Sequence, residues 1–151
     1  NKAGNVVLFV GRIVRQKGVD LLIKACSSIS LSNRTHIKLW IVGPLVDRSY
    51  YEELLYLARK SSPSLEITFF GKVSKTKLIE LYSKADIFVL PSFRETSPLS
   101  IVEAMASALP IIATNVGSIF EMIRNGYATF FLPFKRKSRR GVKRNSTLFN
   151  E

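Results

Sequence analysis

Short apolar runs alternate with longer amphipathic stretches along most of this chain. Five largely apolar runs, bounded by glycine, proline or polar residues, predict strands at residues 6–10, 37–42, 65–70, 87–90 and 111–113. A sixth strand is predicted at residues 129–132. The first run is continuously apolar, which is typical of a parallel strand that is covered on both faces.

The stretches between these runs carry apolar residues at helical spacing. They predict helices at residues 18–29, 49–60, 75–84, 98–108 and 119–124. Ser74 and Ser97 are the expected N-caps of the third and fourth helices, with Pro98 at the first helical position. Strands alternating with helices predict an α/β fold, a Rossmann-like doubly wound parallel sheet with helices on both faces.

Length and charge divide the chain into two parts. Its 151 residues suit one domain, which we place at residues 1–132. The net charge is +12, and half of it lies in residues 133–151, which we expect to be a flexible basic tail. The single cysteine, Cys26, is expected to be buried and excludes a disulfide framework or a cysteine metal cluster within one chain. No metal site is expected.

The loop after the first strand is the first candidate site. Ligands of open parallel sheets bind outside the carboxyl ends of the strands. Gly11 and Gly18 bracket a loop in which Arg12 can grip a phosphate with two hydrogen bonds and Lys17 supplies a point charge. The loop matches neither a Walker P-loop nor a G-x-G-x-x-G fingerprint, so on its own it is better interpreted as solvated surface charge.

Two glutamates frame the second candidate site. Glu95 follows the fourth strand, and Glu103 lies on the second turn of the next helix in an apolar stretch, where an unpaired carboxylate would be costly. Carboxylates accept hydrogen bonds from sugar hydroxyls, and the amides of Leu99 and Ser100 at the helix start can bind an anion. Surface salt bridges explain the two glutamates equally well from spacing alone.

The turn after the third strand, which contains Val73, is a weaker candidate. Its backbone could pair with the edge of a nucleotide base, but by itself it is better interpreted as an ordinary strand-to-helix turn.

With these pieces in order, residues 7–132 resemble the C-terminal domain of retaining GT-B glycosyltransferases, the group often called glycosyltransferase family 4 or glycosyl transferases group 1. The likeness rests on six strings in order, with Glu95 and Glu103 matching the family's E-x7-E pattern. The strings are FVGR with KGVD from Phe9, FGKV from Phe70, ADIFVLPS from Ala85, the segment from Glu95 to Glu103, EAMA from Glu103, and PIIATNVG from Pro110.

The resemblance implies a role for each candidate residue. Arg12 and Lys17 would hold the diphosphate of a nucleotide-sugar donor and stabilise the leaving group, so no divalent metal or other cofactor is expected. Glu95 would bind the donor sugar, and Glu103 the ribose. The remaining donor-binding positions would be Gly11, Val73, Leu99, Ser100, Gly117 and Glu121.

The resemblance also implies that the chain is a piece of a hexosyltransferase. The family's acceptor, a sugar or a lipid-linked molecule, binds an N-terminal domain that is missing here, so we expect donor binding without useful sugar transfer. The absence of methionine at position 1 agrees with an excised piece. The chain departs from the family at three usual glycines, where it has Ala108, Ser118 and Thr129. The family's usual C-terminal helices are also replaced by the tail.

Two other functions stay open at this point. The basic tail could attract nucleic acid or an anionic membrane surface, of which nucleic acid is the less expected partner. The chain could also be a degenerate relative that has the fold and binds nothing. No signal peptide or membrane-length apolar run is seen, so we expect a cytoplasmic location, with the tail able to meet the membrane face.

Overall fold

The computed structural model describes residues 5–123 and the backbone of residues 129–132. Six strands alternate with five α-helices, and a 3-10 turn at Arg15–Lys17 precedes the first helix. In chain order the elements are β1 (Asn5–Val10), α1 (Val19–Asn33), β2 (Ile37–Val42), α2 (Arg48–Arg59), β3 (Leu65–Gly71), α3 (Lys75–Lys84), β4 (Ile87–Leu90), α4 (Leu99–Ala106), β5 (Ile111–Thr114), α5 (Ile119–Ile123) and β6 (Thr129–Leu132).

The strands form one parallel sheet in the order β3-β2-β1-β4-β5-β6. In β1, Val7 lies beside Leu39 of β2 on one side and Ile87 of β4 on the other. Because parallel crossovers are right-handed, the reversal of strand order at β1 places α1 and α2 on one face and α3, α4 and α5 on the other. The predicted Rossmann-like, doubly wound fold is confirmed.

The central strands are buried because helices pack on both faces of the sheet. Leu8, Phe9, Leu39 and Phe88 are fully excluded from solvent at the centre of the core. Cys26 is 5% exposed on the inner face of α1, as the sequence predicts.

The boundaries of α1 and α2 differ from the prediction by up to a turn. Helix α1 continues to Asn33 and ends where Arg34 takes a left-handed conformation, with φ 50°. Helix α2 begins at Arg48 because the Asp47 side chain accepts a 2.9 Å hydrogen bond from the Tyr50 amide. Tyr50 is fully buried on the inner face of α2, whereas the apolar spacing of the sequence predicts its neighbour Tyr51 for that face.

The prediction for α4 is wrong at both ends. Ser97 is not its N-cap and Pro98 is not its first residue; instead Pro98 occupies the cap position in an extended conformation, and the helix starts at Leu99. The helix ends at Ala106 rather than at Ala108 because Ala108 has a φ of 55°. A residue with this φ cannot continue a right-handed helix.

No helix in the described part of the chain is long and apolar enough to cross a membrane. The predicted basic tail at residues 133–151, and the end of the fifth predicted helix at residue 124, lie outside the described residues.

Candidate functional site

The predicted site residues lie at the carboxyl edge of the sheet, and those in the loops after β1 and β4 flank the reversal of strand order. Arg12 and Lys17 lie in the loop after β1, Val73 in the turn after β3, and Glu95 in the loop after β4. In doubly wound sheets this reversal opens a crevice between neighbouring loops, which is where ligands bind.

The loops after β1 and β4 meet in a buried ion pair. Lys17 Nζ lies 2.6 Å from Glu95 Oε1, and only 13% and 6% of the two side chains are exposed. The hydroxyl of Ser92, itself fully buried, donates to the same Glu95 oxygen at 2.5 Å. Two donors therefore fix Oε1 of Glu95, and they set the direction of Oε2 as well.

Backbone contacts hold these two loops together on either side of the ion pair. The Phe93 amide donates to the Gln16 carbonyl at 2.8 Å, and the Gln16 side-chain amide donates to the Arg94 carbonyl at 3.0 Å. Gly18 has a φ of 67°, and a Cβ there would overlap the carbonyl oxygen of Pro91. A larger residue at Gly18 would push the loops apart.

The turn after β5 completes the support of Glu95. Gly117 has a φ of 59°, and a Cβ at this position would overlap the Glu95 carbonyl oxygen. The predicted departure at Ser118 does not remove the left-handed residue, because Gly117 supplies it and Ser118 has no positive φ. Instead the Ser118 hydroxyl donates to the Thr96 carbonyl, which ties the two loops together.

Several donors at this edge are uncommitted. Arg12 is exposed, and within residues 5–123 its guanidinium makes no hydrogen bond or ion pair. The amides of Leu99 and Ser100 in the first turn of α4 likewise have no acceptor among the described residues. A cation and two aligned amides near the Lys17–Glu95 pair form an arrangement that suits an anion with several oxygens.

Glu103 has a partner that the sequence did not reveal. Its Oε2 accepts a 2.9 Å hydrogen bond from the hydroxyl of Tyr82 in α3. The sequence predicted that a carboxylate in this apolar stretch would face a partner or a cleft, and the partner is a tyrosine rather than a cation.

Not all of the predicted residues share in these contacts. Val73 packs against the core beside Gly71, which has a φ of 65°, and Glu121 is exposed in the first turn of α5 without a side-chain bond to the described residues. Gly11 has a φ outside the left-handed region, but its carbonyl oxygen lies where a Cβ on Gly43 would be. Ser92 and Gln16 support the site and were not predicted, although both lie in segments that were already singled out.

An apolar groove borders this edge at Pro91, Phe93 and Thr114. It encloses about 750 Å³ on the α1 face of the sheet, is lined mainly by apolar side chains, and contains none of the predicted site residues. Within residues 5–123, no three His, Cys, Asp or Glu side chains lie close enough together to hold a metal ion.

Residues 1–143 match the family model for glycosyl transferases group 1. The chain belongs to this family. An uncharacterized glycosyltransferase of Methanocaldococcus jannaschii is 36% identical over 120 residues, which cover 80% of this chain and 30% of that protein. The mannosylfructose-phosphate synthase of Agrobacterium fabrum is 35% identical over 139 residues, which cover 89% of this chain and 31% of the synthase.

Solved structures show the same architecture. Sucrose-phosphate synthase from Thermosynechococcus elongatus superposes with a TM-score of 0.69 at 29% identity, over 87% of this chain and 33% of that one. HepE from Anabaena gives a TM-score of 0.71 at 23% identity, over 87% and 35% of the two chains, a likeness that shows the fold. The neighbours are GT-B glycosyltransferases, and this chain spans about a third of the length of each relative.

Proposed function

We propose that the carboxyl edge of this sheet binds a nucleoside diphosphate sugar, as the donor-binding half of a retaining glycosyltransferase. The observation that carries the proposal is the buried Lys17–Glu95 pair, with the first turn of α4 and an exposed Arg12 that makes no bond within residues 5–123 at the same edge of the sheet. A glycosyl donor needs cations for its diphosphate and a fixed carboxylate for its sugar, and both occur here in adjoining loops.

Arg12, Lys17 and the amides of Leu99 and Ser100 would hold the diphosphate. Charge builds up on this group as the bond to the sugar breaks, and donors already in place stabilise that charge without rearrangement. Because protein cations supply this stabilisation, we propose that the reaction needs no divalent metal and no cofactor besides the donor.

The carboxylates would bind the two sugar rings of the donor. Glu95 would accept hydrogen bonds from the transferred sugar, with its Oε1 fixed by Lys17 and Ser92. Glu103 would accept from the ribose. Around them, Val73 would flank the base, and the backbone near Gly11, Gly117 and Glu121 would line the donor.

We further propose that transfer requires more chain than this one. The acceptor, a sugar or a lipid-linked molecule, would bind an N-terminal domain, and closure of two domains over both substrates would then bring the reactants together. By itself the chain would bind donor without transferring a hexosyl group at a useful rate. A cytoplasmic location, with residues 133–151 facing an anionic membrane, fits the same proposal.

Removing the Arg12 side chain tests the diphosphate site without disturbing the fold. UDP, GDP and ADP are titrated calorimetrically into the chain and into Arg12→Ala. Because a hydrogen bond to a charged group contributes about 1.5–3 kcal/mol, the variant should bind its preferred nucleotide on the order of 10-fold more weakly or worse. Its melting temperature should stay unchanged, since the Arg12 side chain makes no bond within residues 5–123.

Arg59→Ala is the matched control. Arg59 is an exposed arginine at the last position of α2, at the opposite edge of the sheet, so its loss changes the net charge equally and should leave affinity unchanged. Equal weakening by both variants would indicate nonspecific attraction to a basic protein. No binding of any of the three nucleotides by the folded chain would contradict the proposed donor site.

A further inference from the structure

Tyr82 and Glu103 join two helices on the same face of the sheet. The Tyr82 hydroxyl in α3 lies 2.9 Å from Glu103 Oε2 in α4 and 3.3 Å from the carbonyl oxygen of Ser100, one turn earlier in α4. Both helices start at the carboxyl edge of the sheet, after β3 and β4. Since side chains lean toward the start of their helix, both residues reach back toward the candidate site.

The phenol is a donor with one proton and two acceptors within reach. Of these, the Glu103 carboxylate is both nearer and charged, and charge-assisted hydrogen bonds are the stronger kind. Tyr82 is 3% exposed, and its burial, together with the neighbouring Glu103, raises the pKa of the phenol above its ordinary value. The hydroxyl therefore keeps its proton at neutral pH and stays a donor.

Among the described residues, the Glu103 carboxylate is held by the Tyr82 hydroxyl alone. Within residues 5–123 its half-buried carboxylate makes no ion pair and no second side-chain hydrogen bond. Oε2 is thus anchored in one direction, while Oε1 keeps its full capacity to accept from a ligand. A carboxylate fixed in this way is suited to two neighbouring hydroxyls, because its two oxygens present parallel acceptors.

We propose that Tyr82 is a positioning residue, which fixes the Glu103 carboxylate so that it selects the adjacent hydroxyls of a ribose. This inference rests on the proposed nucleotide site and adds the reason for ribose selectivity. An unanchored glutamate would have to be ordered on binding, and that ordering costs conformational entropy.

The packing of the ring makes the hydroxyl separable from the fold. The Tyr82 ring packs against Phe88 of β4 with its centroid 6.1 Å away and a tilt of 36°. Phenylalanine at position 82 keeps this contact and loses only the hydroxyl. Tyr51→Phe is the matched control, since Tyr51 also packs on a phenylalanine, the edge of Phe69, and its hydroxyl makes no bond within residues 5–123.

The experiment measures affinity for nucleotides with and without the ribose hydroxyls. UDP, GDP and ADP and their 2′,3′-dideoxy counterparts are titrated into the unaltered chain, Tyr82→Phe, Tyr51→Phe, Glu103→Ala and the double variant of Tyr82 and Glu103. We expect Tyr82→Phe to weaken the ribonucleotide roughly fivefold, the effect of one hydrogen bond, and to leave the dideoxy nucleotide unchanged. In the Glu103→Ala background it should cause no further loss, because the two residues act as one unit.

The other outcomes are distinct. Equal weakening of both nucleotides by Tyr82→Phe would mean a structural role only, and an unchanged ribonucleotide affinity would mean that the anchor is irrelevant; either overturns the inference while the proposed function stands. If the unaltered chain binds the ribonucleotide and its dideoxy counterpart equally well, Glu103 does not select ribose, and this result also overturns the inference. A chain that binds none of the six would overturn the proposed function itself.

Discussion

At the scale of single residues, two left-handed positions in the described part of the chain are occupied by different residue types. Gly117 has a φ of 59° where a Cβ would overlap the Glu95 carbonyl oxygen, so only glycine fits. Ala108 has a φ of 55° just after α4, and it is exposed. An alanine in this conformation is strained by its own Cβ by about 1–2 kcal/mol.

Ala108→Gly should therefore stabilise the chain. Relief of the left-handed strain outweighs the greater flexibility that glycine gives the unfolded chain, and we expect a net gain of about 1 kcal/mol in the free energy of unfolding. Urea denaturation followed by circular dichroism measures this quantity. Ala106→Gly, at the exposed last position of α4, is the matched control and should lose about 1 kcal/mol. A loss in both variants would show that position 108 is unstrained.

At the scale of elements, one side chain connects the helices on the α1 face. The Tyr50 hydroxyl of α2 accepts from the Asp20 amide at 3.0 Å and donates to Asp20 Oδ1 at 2.7 Å in the first turn of α1. The Arg15 guanidinium lies 5.1 Å from the centre of the same ring and pairs with Glu53 of α2. The loop that carries Lys17 is thereby fastened to α2 as well as to the loop after β4.

Removal of the Tyr50 hydroxyl should loosen this contact. Tyr50→Phe leaves the buried ring in place but deprives the Asp20 amide and carboxylate of a partner, so the free energy of unfolding should fall by about 1–2 kcal/mol. Tyr51→Phe should change the free energy of unfolding by much less.

Burial raises the pKa of Tyr50 above its ordinary 10.0, so the unfolded chain ionises first. The stability that the Tyr50 hydroxyl contributes is therefore present below about pH 10 and is lost above it. In Tyr50→Phe, the free energy of unfolding should fall less between pH 8 and pH 10.5 than it does in the unaltered chain. Urea denaturation at the two pH values measures this difference.

Local signals predicted the elements well where a side chain controls the boundary. Ser74 caps α3 as expected, through its bond from the Lys77 amide, and both ends of that helix are confirmed. The start of α4 could not be predicted from Ser97-Pro98, because the loop after β4 is drawn toward the turns after β1 and β5 and stays extended through Pro98. Tyr50 was missed because the apolar spacing of α2 fits either of its adjacent tyrosines.

At the scale of the whole molecule, topology accounts for what the sequence could and could not predict about the site. Strand ends carry the unusual polar residues, so the pattern placed Arg12, Lys17 and Glu95 at one edge. The direct contact of Lys17 with Glu95 joins positions 78 residues apart, and that of Tyr82 with Glu103 depends on two helices sharing a face. No local spacing encodes such contacts, which arise only from the order of the strands.

The same topology leaves two candidate binding surfaces, the carboxyl edge of the sheet and the groove on the α1 face. The polar carboxyl edge holds the ion pair and the free donors, whereas the large groove on the α1 face is apolar and has only a few polar groups. A charged nucleotide requires hydrogen-bonding partners, so we expect it to bind at the carboxyl edge and not in the groove.

The location of the bound nucleotide is the most direct test of the proposed donor site. UDP, GDP and ADP are titrated into the ¹⁵N-labelled chain, and the amide chemical shifts are followed by NMR. We predict saturable shift changes concentrated in loops 11–18, 71–74, 94–98 and 115–118 and in the first turn of α4. Shift changes confined to the groove-lining residues of α1, such as Ala25 and Ile29, or no change with any of the three nucleotides, would contradict it.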